Sequence, residues 1–288
     1  MDVHGSIALV TGANRGLGRV FARTLLEQGA RTVYGGARES STIEDPDLVP
    51  LSLDVTDPAS VADAAEQLTE IDIVINNAGV ATWDFPLDAQ LEDARRELEV
   101  NYLGLLSVAQ AFAPALGRGG GGALVNMLSV SSFVASPRLS TYAASKAAAW
   151  SITNSLRIQL RRQGTLVIGV HAGFIDTEMA AAVEDEKISP EDVAAATMSA
   201  ILAGSEEVLV DELTRSVKST LHRDHELIYP AVQRSYDAAT SDSGVRWSYR
   251  QVAQAVLMHD SLPLRQLTTP YPSYDARAQP GSGSECVE

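Results

Sequence analysis

The chain has 288 residues, of which 45% are hydrophobic and 20% charged, enough for one large domain or a domain with an appendage. Its 37 acidic and 22 basic residues give a net charge of −15, which argues against nucleic acid as a partner because a phosphate backbone would be repelled. Neither an uncharged apolar run of membrane-spanning length nor a signal-peptide pattern is evident, so we expect a cytoplasmic protein without a membrane partner.

Short β-rich runs alternate with longer helical patterns along the first 210 residues. The predicted strands are 7–10, 32–34, 49–53, 71–75, 123–127, 165–170 and 208–210, and the predicted helices are 17–27, 58–68, 88–116, 140–163 and 190–202. Strands that alternate with helices of this length imply right-handed βαβ crossovers. We therefore expect an α/β fold, a doubly wound, Rossmann-like parallel sheet of about seven strands with helices on both faces.

The pattern changes after residue 222. Residues 212–238 and 247–258 have helical patterns, and from Leu262 the chain carries several prolines and a Gly/Ser-rich end. That composition predicts extended or disordered chain. We therefore expect two parts, a body over 1–222 and a partly helical C-terminal extension over 223–288.

A glycine-rich turn separates the first predicted strand from the first predicted helix. Gly12, Gly16 and Gly18 permit a tight turn and a close backbone approach. The start of the following helix offers free N–H groups and a positive dipole end to an anion. Three glycines alone are a weak signal, but this strand-turn-helix context predicts a pyrophosphate site rather than a plain turn.

Six landmarks, in order, resemble the short-chain dehydrogenase/reductase family. They are TGxxxGxG at 11–18, NNAG at 76–79, Asn101 in a long helix, Ser129 after the fifth strand, YxxxK at 142–146, and 171–177 where the family usually reads PGxxxT. Together they cover about residues 5 to 221. One departure is Ala172 in place of the family's proline, which makes this strand exit less rigid. The resemblance implies that residues 1–222 form an NADP-binding catalytic domain.

Tyr142 and Lys146 are a candidate acid/base pair on chemical grounds as well. Residues four apart on a helix share one face. A free phenol titrates near ~10 and is a poor base at neutral pH, but a nearby ammonium favours the phenolate. Lysine is scarce in this chain, and Ser129 stands at the family's distance before the tyrosine. A catalytic pair is therefore favoured over a helix-surface pair.

The resemblance implies a role for each catalytic residue. Tyr142 exchanges a proton with the substrate oxygen, and Ser129 hydrogen-bonds that oxygen as charge develops on it. Lys146 lowers the pKa of the tyrosine and contacts the nicotinamide ribose, and Asn101 holds a water in the proton relay. The implied cofactor contacts are Gly12, Asn14, Arg15, Gly16, Leu17, Gly18, Arg38, Asp54, Val55, Asn77, Ala78, Gly79, Tyr142, Lys146, Gly173, Ile175 and Thr177.

The cofactor is predicted from charge at the end of the second strand. NAD enzymes of this kind usually carry an acid there for the ribose 2′-hydroxyl. Ala37 occupies that place, while Arg15 and Arg38 can reach it. Two guanidinium groups suit a 2′-phosphate, so NADP(H) is the predicted cofactor. The plainer alternative is that both arginines only face solvent.

An apolar pocket is expected beside the catalytic residues, because the short segment after Thr177 supplies Met179 and the apolar run 180–183. We expect a carbonyl/alcohol oxidoreductase for a small to medium apolar substrate, with secondary metabolism as a candidate setting. Two alternatives stay open, a non-redox enzyme of the same fold (dehydratase, epimerase or cyclase) and a non-enzymatic NADP-binding sensor or scaffold. The predicted substrate contacts are Trp83, Ser131, Phe133 and Met179.

Two further patterns are weighed against plainer interpretations. His222, His225 and Glu226 superficially resemble a metal site. Only two histidines and one acidic residue cluster there, which a solvated helix face explains better, so no metal is expected. By the resemblance, a homodimer or homotetramer is expected through the helices at 88–116 and 140–163. Core packing explains their Ala/Leu-rich faces equally well.

Overall fold

The computed structural model describes residues 1–241, and within them seven strands form one parallel sheet. The strands are β1 Ile7–Thr11, β2 Thr32–Ala37, β3 Val49–Ser52, β4 Ile73–Asn76, β5 Ala123–Met127, β6 Leu166–His171 and β7 Glu207–Leu209. Their order is β3-β2-β1-β4-β5-β6-β7, and every neighbouring pair is parallel. The predicted doubly wound, Rossmann-like fold is confirmed, and its strand order reverses between β1 and β4, where such sheets open a crevice.

Eight α-helices cover the two faces of the sheet in the described part of the chain. They are α1 Gly16–Glu27, α2 Pro58–Gln67, α3 Leu91–Leu98, α4 Leu105–Arg118, α5 Ser140–Leu160, α6 Pro190–Ala203, α7 Glu212–Thr220 and α8 Asp224–Ser241. Phe21 of α1 and Ile201 of α6 are fully buried in one face's core. Phe112 of α4 and Ala149 of α5 are buried in the core of the other face. The sheet is therefore sealed on both sides.

Local sequence accounts for several helix ends. The Asp57 carboxylate accepts from the N–H of Ala59, 3.0 Å away, and Pro58 takes the first helical position of α2. Ser189 caps α6 in the same way, accepting from the N–H of Asp192 at 3.0 Å. A cap of this kind satisfies an N–H that has no partner inside the helix.

The helix predicted over 88–116 differs from expectation in two respects. It begins at Leu91, and Glu99–Gly104 is π-helical, which joins α3 and α4 into one helix of 28 residues. By length and composition that helix is apolar enough to cross a membrane, but Val108, Phe112 and Leu116 are fully buried against the sheet. It is therefore a core helix, and the cytoplasmic location stays a prediction.

Other boundaries also shift. Strand β2 continues through Gly35 and Gly36, three residues beyond the predicted end. The helix predicted over 212–238 is two helices, α7 and α8, separated by the short 3-10 turn Leu221–Arg223. The helix predicted over 247–258 and the predicted disordered end lie outside the described residues.

A third apolar cluster joins α8 to the end of the sheet where the strands finish. Val130, Val134, Val217, Ile228 and Val232 are buried together there. Part of the segment assigned to the C-terminal extension therefore packs directly against the turn that follows β5.

Candidate active site

A cleft of about 1400 Å³ lies at the carboxyl ends of the strands. Every predicted site residue lines it except Asn101 and Phe133. The residues from sequence motifs far apart in the chain, the glycine turn, NNAG and YxxxK, thus meet in one space. Its volume and its extent along the ends of the strands suit a dinucleotide with a small substrate beside it.

The glycine turn forms the cradle at one end of this cleft. Gly12 and Gly16 adopt positive φ values of 65° and 51°, which L side chains rarely tolerate. A Cβ on Gly18 would stand 2.1 Å from the carbonyl oxygen of Gly12, so only glycine fits there. Since α1 begins at Gly16, its unpaired N–H groups face the cleft, and these residues fit the pyrophosphate of a dinucleotide.

Thr11 and Asn77 tie the glycine turn to the NNAG segment. The Thr11 hydroxyl accepts from the N–H groups of Asn77 and Ala78, both at 3.0 Å. The Asn77 amide in turn donates to the carbonyls of Thr11 at 3.0 Å and Gly12 at 3.3 Å. The sequence analysis missed the role of Thr11, whose signal is the threonine that opens TGxxxGxG.

Ser129 stands at the end of β5 in a turn of serines. Its Oγ accepts from the N–H of Ser131 at 3.0 Å, and the Ser132 Oγ accepts from the N–H of Ser129 at 3.2 Å. Because the Ser129 oxygen is held as an acceptor, its own hydroxyl proton can be donated into the cleft. Ser132 is thus a supporting residue that keeps this turn closed.

Lys146 is a buried cation one helical turn beyond Tyr142. Its Nζ donates to the carbonyl of Met127 at 2.8 Å and lies 5.8 Å from the centroid of the Tyr142 ring. Burial lowers the pKa of this ammonium from 10.5 to about 8. The Met127 carbonyl and the Tyr142 ring stabilise the charged form of Lys146 only in part. A further hydrogen-bond acceptor beside the ammonium would stabilise it more.

Asn101 does not line the cleft, although it lies beside it in the π-helical segment. Its Oδ1 accepts from the N–H of Val80 at 2.9 Å, and its Nδ2 donates to the Val80 carbonyl at 2.8 Å and to the Ser145 hydroxyl at 2.9 Å. The side chain therefore holds the loop after β4. Its role in a water relay stays a prediction.

The far end of the cleft, beyond the glycine turn, carries both predicted arginines. Arg38 follows β2 beside Asp54, and Arg15 donates from Nη1 to Glu178 Oε2 at 2.8 Å. Burial works to raise the pKa of Asp54, but hydrogen bonds from Thr56 and the charge of Arg38 outweigh it, so this pKa is lowered. The two guanidinium groups and the ionised Asp54 form the charged lining of this end.

The substrate end is apolar and aromatic. The rings of Trp83 and Phe174 stack with centroids 6.1 Å apart and an interplanar angle of 27°. Leu213 and the half-exposed Met179 complete this wall. Phe174 and Leu213 escaped the sequence analysis because nothing local distinguishes them from core residues.

Phe133 lies elsewhere, which corrects its assignment to the substrate contacts. Its ring stacks on His171 with centroids 4.2 Å apart and meets the edge of Trp150 at 4.8 Å. Lys218 Nζ lies 4.5 Å above the same ring. Phe133 ends the short helical turn after Ser129, which carries its side chain into this aromatic cluster instead of the cleft.

His171 supports the turn of serines from behind. It is fully buried, and its Nδ1 lies 3.1 Å from the carbonyl of Ser129. Burial lowers the pKa of this imidazole to about 4, so it stays neutral under physiological conditions and donates to that carbonyl. It is a structural residue at the end of β6.

Asp211 fixes the segment where Ala172 replaces the family's proline. Its Oδ2 accepts from the N–H of Gly173 at 2.8 Å, and its Oδ1 caps α7 through the N–H of Thr214 at 2.8 Å. The exit of β6 is therefore held by a carboxylate.

Within residues 1–241, no group of three or more His, Cys, Asp or Glu side chains is arranged to hold a metal ion.

Comparison with known proteins identifies the family. The short chain dehydrogenase family model matches residues 6–188, and the chain belongs to that family, whose members are oxidoreductases. An uncharacterized oxidoreductase of Staphylococcus aureus (strain USA300) is 31% identical over 221 residues, which cover 72% of this chain and 95% of that protein.

Solved structures show the same architecture. A short chain dehydrogenase from Burkholderia cenocepacia, crystallised with NADP, is 39% identical with a TM-score of 0.75, covering 78% of this chain and 96% of its own. A short chain dehydrogenase/reductase from Burkholderia phymatum, crystallised with NAD, is 24% identical with a TM-score of 0.69, covering 78% and 96%. The second likeness bears on the fold alone.

Proposed function

We propose that this protein is an NADPH-dependent oxidoreductase that interconverts a ketone or aldehyde and an alcohol on a small to medium, mainly apolar substrate. The observation that carries the proposal is the meeting of Ser129, Tyr142 and the buried Lys146 in one cleft with a glycine cradle. That combination serves carbonyl chemistry next to a bound dinucleotide.

Each residue has a distinct task in this mechanism. The Tyr142 hydroxyl donates a proton to the substrate oxygen in reduction and takes it back in oxidation. Ser129 donates a hydrogen bond to the same oxygen as negative charge develops there. The Lys146 ammonium favours the phenolate form of Tyr142 by its charge. When bound, the nicotinamide supplies or accepts the hydride.

Two observations support NADP(H) over NAD(H). Arg15 and Arg38 both line the end of the cleft that receives the adenosine, and Ala37 leaves no carboxylate at the end of β2. The Burkholderia cenocepacia relative was crystallised with NADP. A guanidinium pair matches a phosphate monoester in charge and geometry.

An apolar carbonyl compound fits the substrate end best. Trp83, Phe174, Leu213 and Met179 line the cleft, and the first three pack against one apolar cluster. Stacked rings at such a wall favour planar apolar groups. We infer that simple aryl ketones and aldehydes are suitable first substrates.

Self-association through the 28-residue helix Leu91–Arg118 and through α5 is part of the proposal. Leu98 of α3, Leu103 of the π-helical segment and Ile158 of α5 are 40%, 43% and 78% exposed, although they are large and apolar. We propose a homodimer or homotetramer that covers them, and light scattering of the purified protein measures its mass directly.

Purified protein, NADPH and a panel of aryl and alkyl ketones test the redox function. We expect consumption of NADPH, followed by its absorbance, and loss of turnover by about 10²-fold or more in Tyr142→Phe with NADPH binding retained. NADPH binding without turnover on the whole panel would contradict this function. Product analysis would then separate a non-redox enzyme of this fold from a sensor or scaffold.

A further inference from the structure

The loop that follows NNAG has no regular structure of its own, since residues 77–85 form neither helix nor strand. It nevertheless carries Trp83, which belongs to the aromatic wall of the cleft. A loop that runs past a core must find partners for its backbone groups. The partners come from one face of the helix formed by α3 and the π-helical segment.

Two side chains of that helix hold the loop at two points. Asn101 makes paired hydrogen bonds with the N–H and carbonyl of Val80, at 2.9 and 2.8 Å. The Glu97 Oε1 accepts from the N–H and the hydroxyl of Thr82, at 2.6 and 2.8 Å. Four helical residues rise about 6 Å, and two extended residues span about 7 Å, so the two spacings match. Asn101 and Glu97 form a clamp on the loop.

Glu97 is an unusual residue for such a purpose. It is completely buried, and within the described residues its Oε2 has no hydrogen-bond partner and no Lys, Arg or His forms an ion pair with it. Burying a carboxylate without a cation is unfavourable. Glu97 fixes the position of Thr82, because one carboxylate oxygen accepts hydrogen bonds from both the N–H and the hydroxyl of Thr82 at short distance.

The position that the clamp fixes is that of Trp83, the residue directly after Thr82. Trp83 stacks on Phe174, which lies between Gly173 and Ile175 in the segment after β6. Further along the loop, Phe85 meets the ring edge of Tyr236 on α8, with centroids 5.9 Å apart. The loop thus runs from the clamp to two aromatic contacts, of which that of Trp83 with Phe174 lines the cleft.

We propose that Glu97 is a positioning residue for substrate recognition, which fixes Trp83 against Phe174 through Thr82 and so sets the width of the apolar end of the cleft. It acts through the loop, by holding Thr82. The kinetic part of its test depends on the redox function proposed above, whereas the structural part does not.

The test compares Glu97→Ala and Glu97→Gln with Glu66→Gln, an equal charge change at an exposed position of α2 that does not line the cleft. Glutamine keeps an oxygen acceptor for Thr82, and alanine removes it. We expect hydrogen exchange of the amides at 80–83, measured by mass spectrometry, to rise at least about tenfold in Glu97→Ala and little in either glutamine variant. An unchanged exchange rate in Glu97→Ala overturns the clamp, whether or not the protein is an active enzyme.

Kinetics then separate positioning from general damage. In Glu97→Ala we expect KM for an aryl ketone to rise about tenfold or more, with kcat and the Kd for NADPH changed less than about threefold. Glu97→Gln should restore most of that KM. Equal losses in kcat, KM and NADPH binding would overturn the proposal. Thr82→Val, which removes only the hydroxyl, serves where Glu97→Ala does not fold, and we expect the same split with a smaller rise in KM.

Discussion

The Arg15 guanidinium donates to the Glu178 carboxylate across the mouth of the cleft, with Nη1 and Oε2 2.8 Å apart. Arg15 belongs to the glycine turn, and Glu178 follows Thr177 on the opposite rim. Both side chains are about three-quarters exposed, so water and salt weaken their attraction. A 2′-phosphate that binds Arg15 therefore competes with Glu178 for the same cation.

This competition predicts the effect of Glu178→Gln. Removing the carboxylate releases Arg15, so the Kd for NADPH should fall about two- to fivefold at low ionic strength, and that for NADH should stay unchanged. The gain should shrink in high salt. Isothermal titration calorimetry measures the Kd for NADPH and the Kd for NADH, each at low and at high salt. Glu191→Gln, an exposed charge of α6, is the control, and an equal gain there would mean that only net charge matters.

Arg38→Ala tests the cofactor preference directly. Arg38 lines the adenosine end beside Asp54, and loss of its charge removes a partner that a 2′-phosphate needs. We expect the KM for NADPH to rise about tenfold or more and the KM for NADH to change little. Retention of the full preference for NADPH would count against the assignment of NADP(H).

Burial of Lys146 predicts how the cofactor-free protein responds to pH. Its pKa falls from 10.5 to about 8 in the folded state. Between these values the unfolded chain holds a proton that the folded chain has lost, so the free energy of unfolding rises with pH. Relative to Lys146→Met, wild type should gain up to about 3 kcal/mol across this interval. Urea unfolding of both proteins measures this gain, and parallel pH curves would refute the burial argument.

Much of the fold follows from periodicity and turn chemistry alone. All seven strands and the start of α2 at Pro58 are predicted from local patterns, because burial and helix starts leave a local signature. Gly35 and Gly36 are misread as the end of a strand. In the folded protein β2 continues through them. Glycine suits this stretch because a Cβ on Gly36 would stand 3.1 Å from Leu53 and 3.3 Å from the carbonyl of Val10. That crowding comes from other strands and has no trace in the local sequence.

The site divides in the same way. Motif residues such as Tyr142 and Lys146 are predictable because their spacing on one helix is itself the signal. Phe133 is a predicted substrate contact and Phe174 is not, although both are single aromatics after a strand and the local sequence does not rank them. What distinguishes them is the stacking of Phe133 on His171 and of Phe174 on Trp83. Contacts between residues distant in sequence decide that difference.

The packing of α8 against the turn after β5 yields a stability prediction. Ile228 is fully buried with Val130 and Val134. Ile228→Ala removes apolar area and leaves a cavity that the surrounding side chains fill only in part, so the free energy of unfolding should fall by about 2–4 kcal/mol. Urea unfolding measures this loss, and Arg234→Ala, at an exposed position of α8, should cost less than about 0.5 kcal/mol.

The same variant shows whether α8 also supports the substrate end of the cleft. The apolar cluster that holds Ile228 also contacts Trp83 and Phe174, so a cavity there loosens the wall against which an apolar substrate packs. Among the predicted cofactor contacts Tyr142 packs against that cluster, whereas the glycine turn lies outside it, so we expect cofactor binding to depend mainly on residues that the cavity does not touch. We therefore expect Ile228→Ala to raise KM for an aryl ketone about threefold or more, with the Kd for NADPH unchanged. Weaker NADPH binding with an unchanged KM would show that α8 acts on the whole fold rather than on this wall.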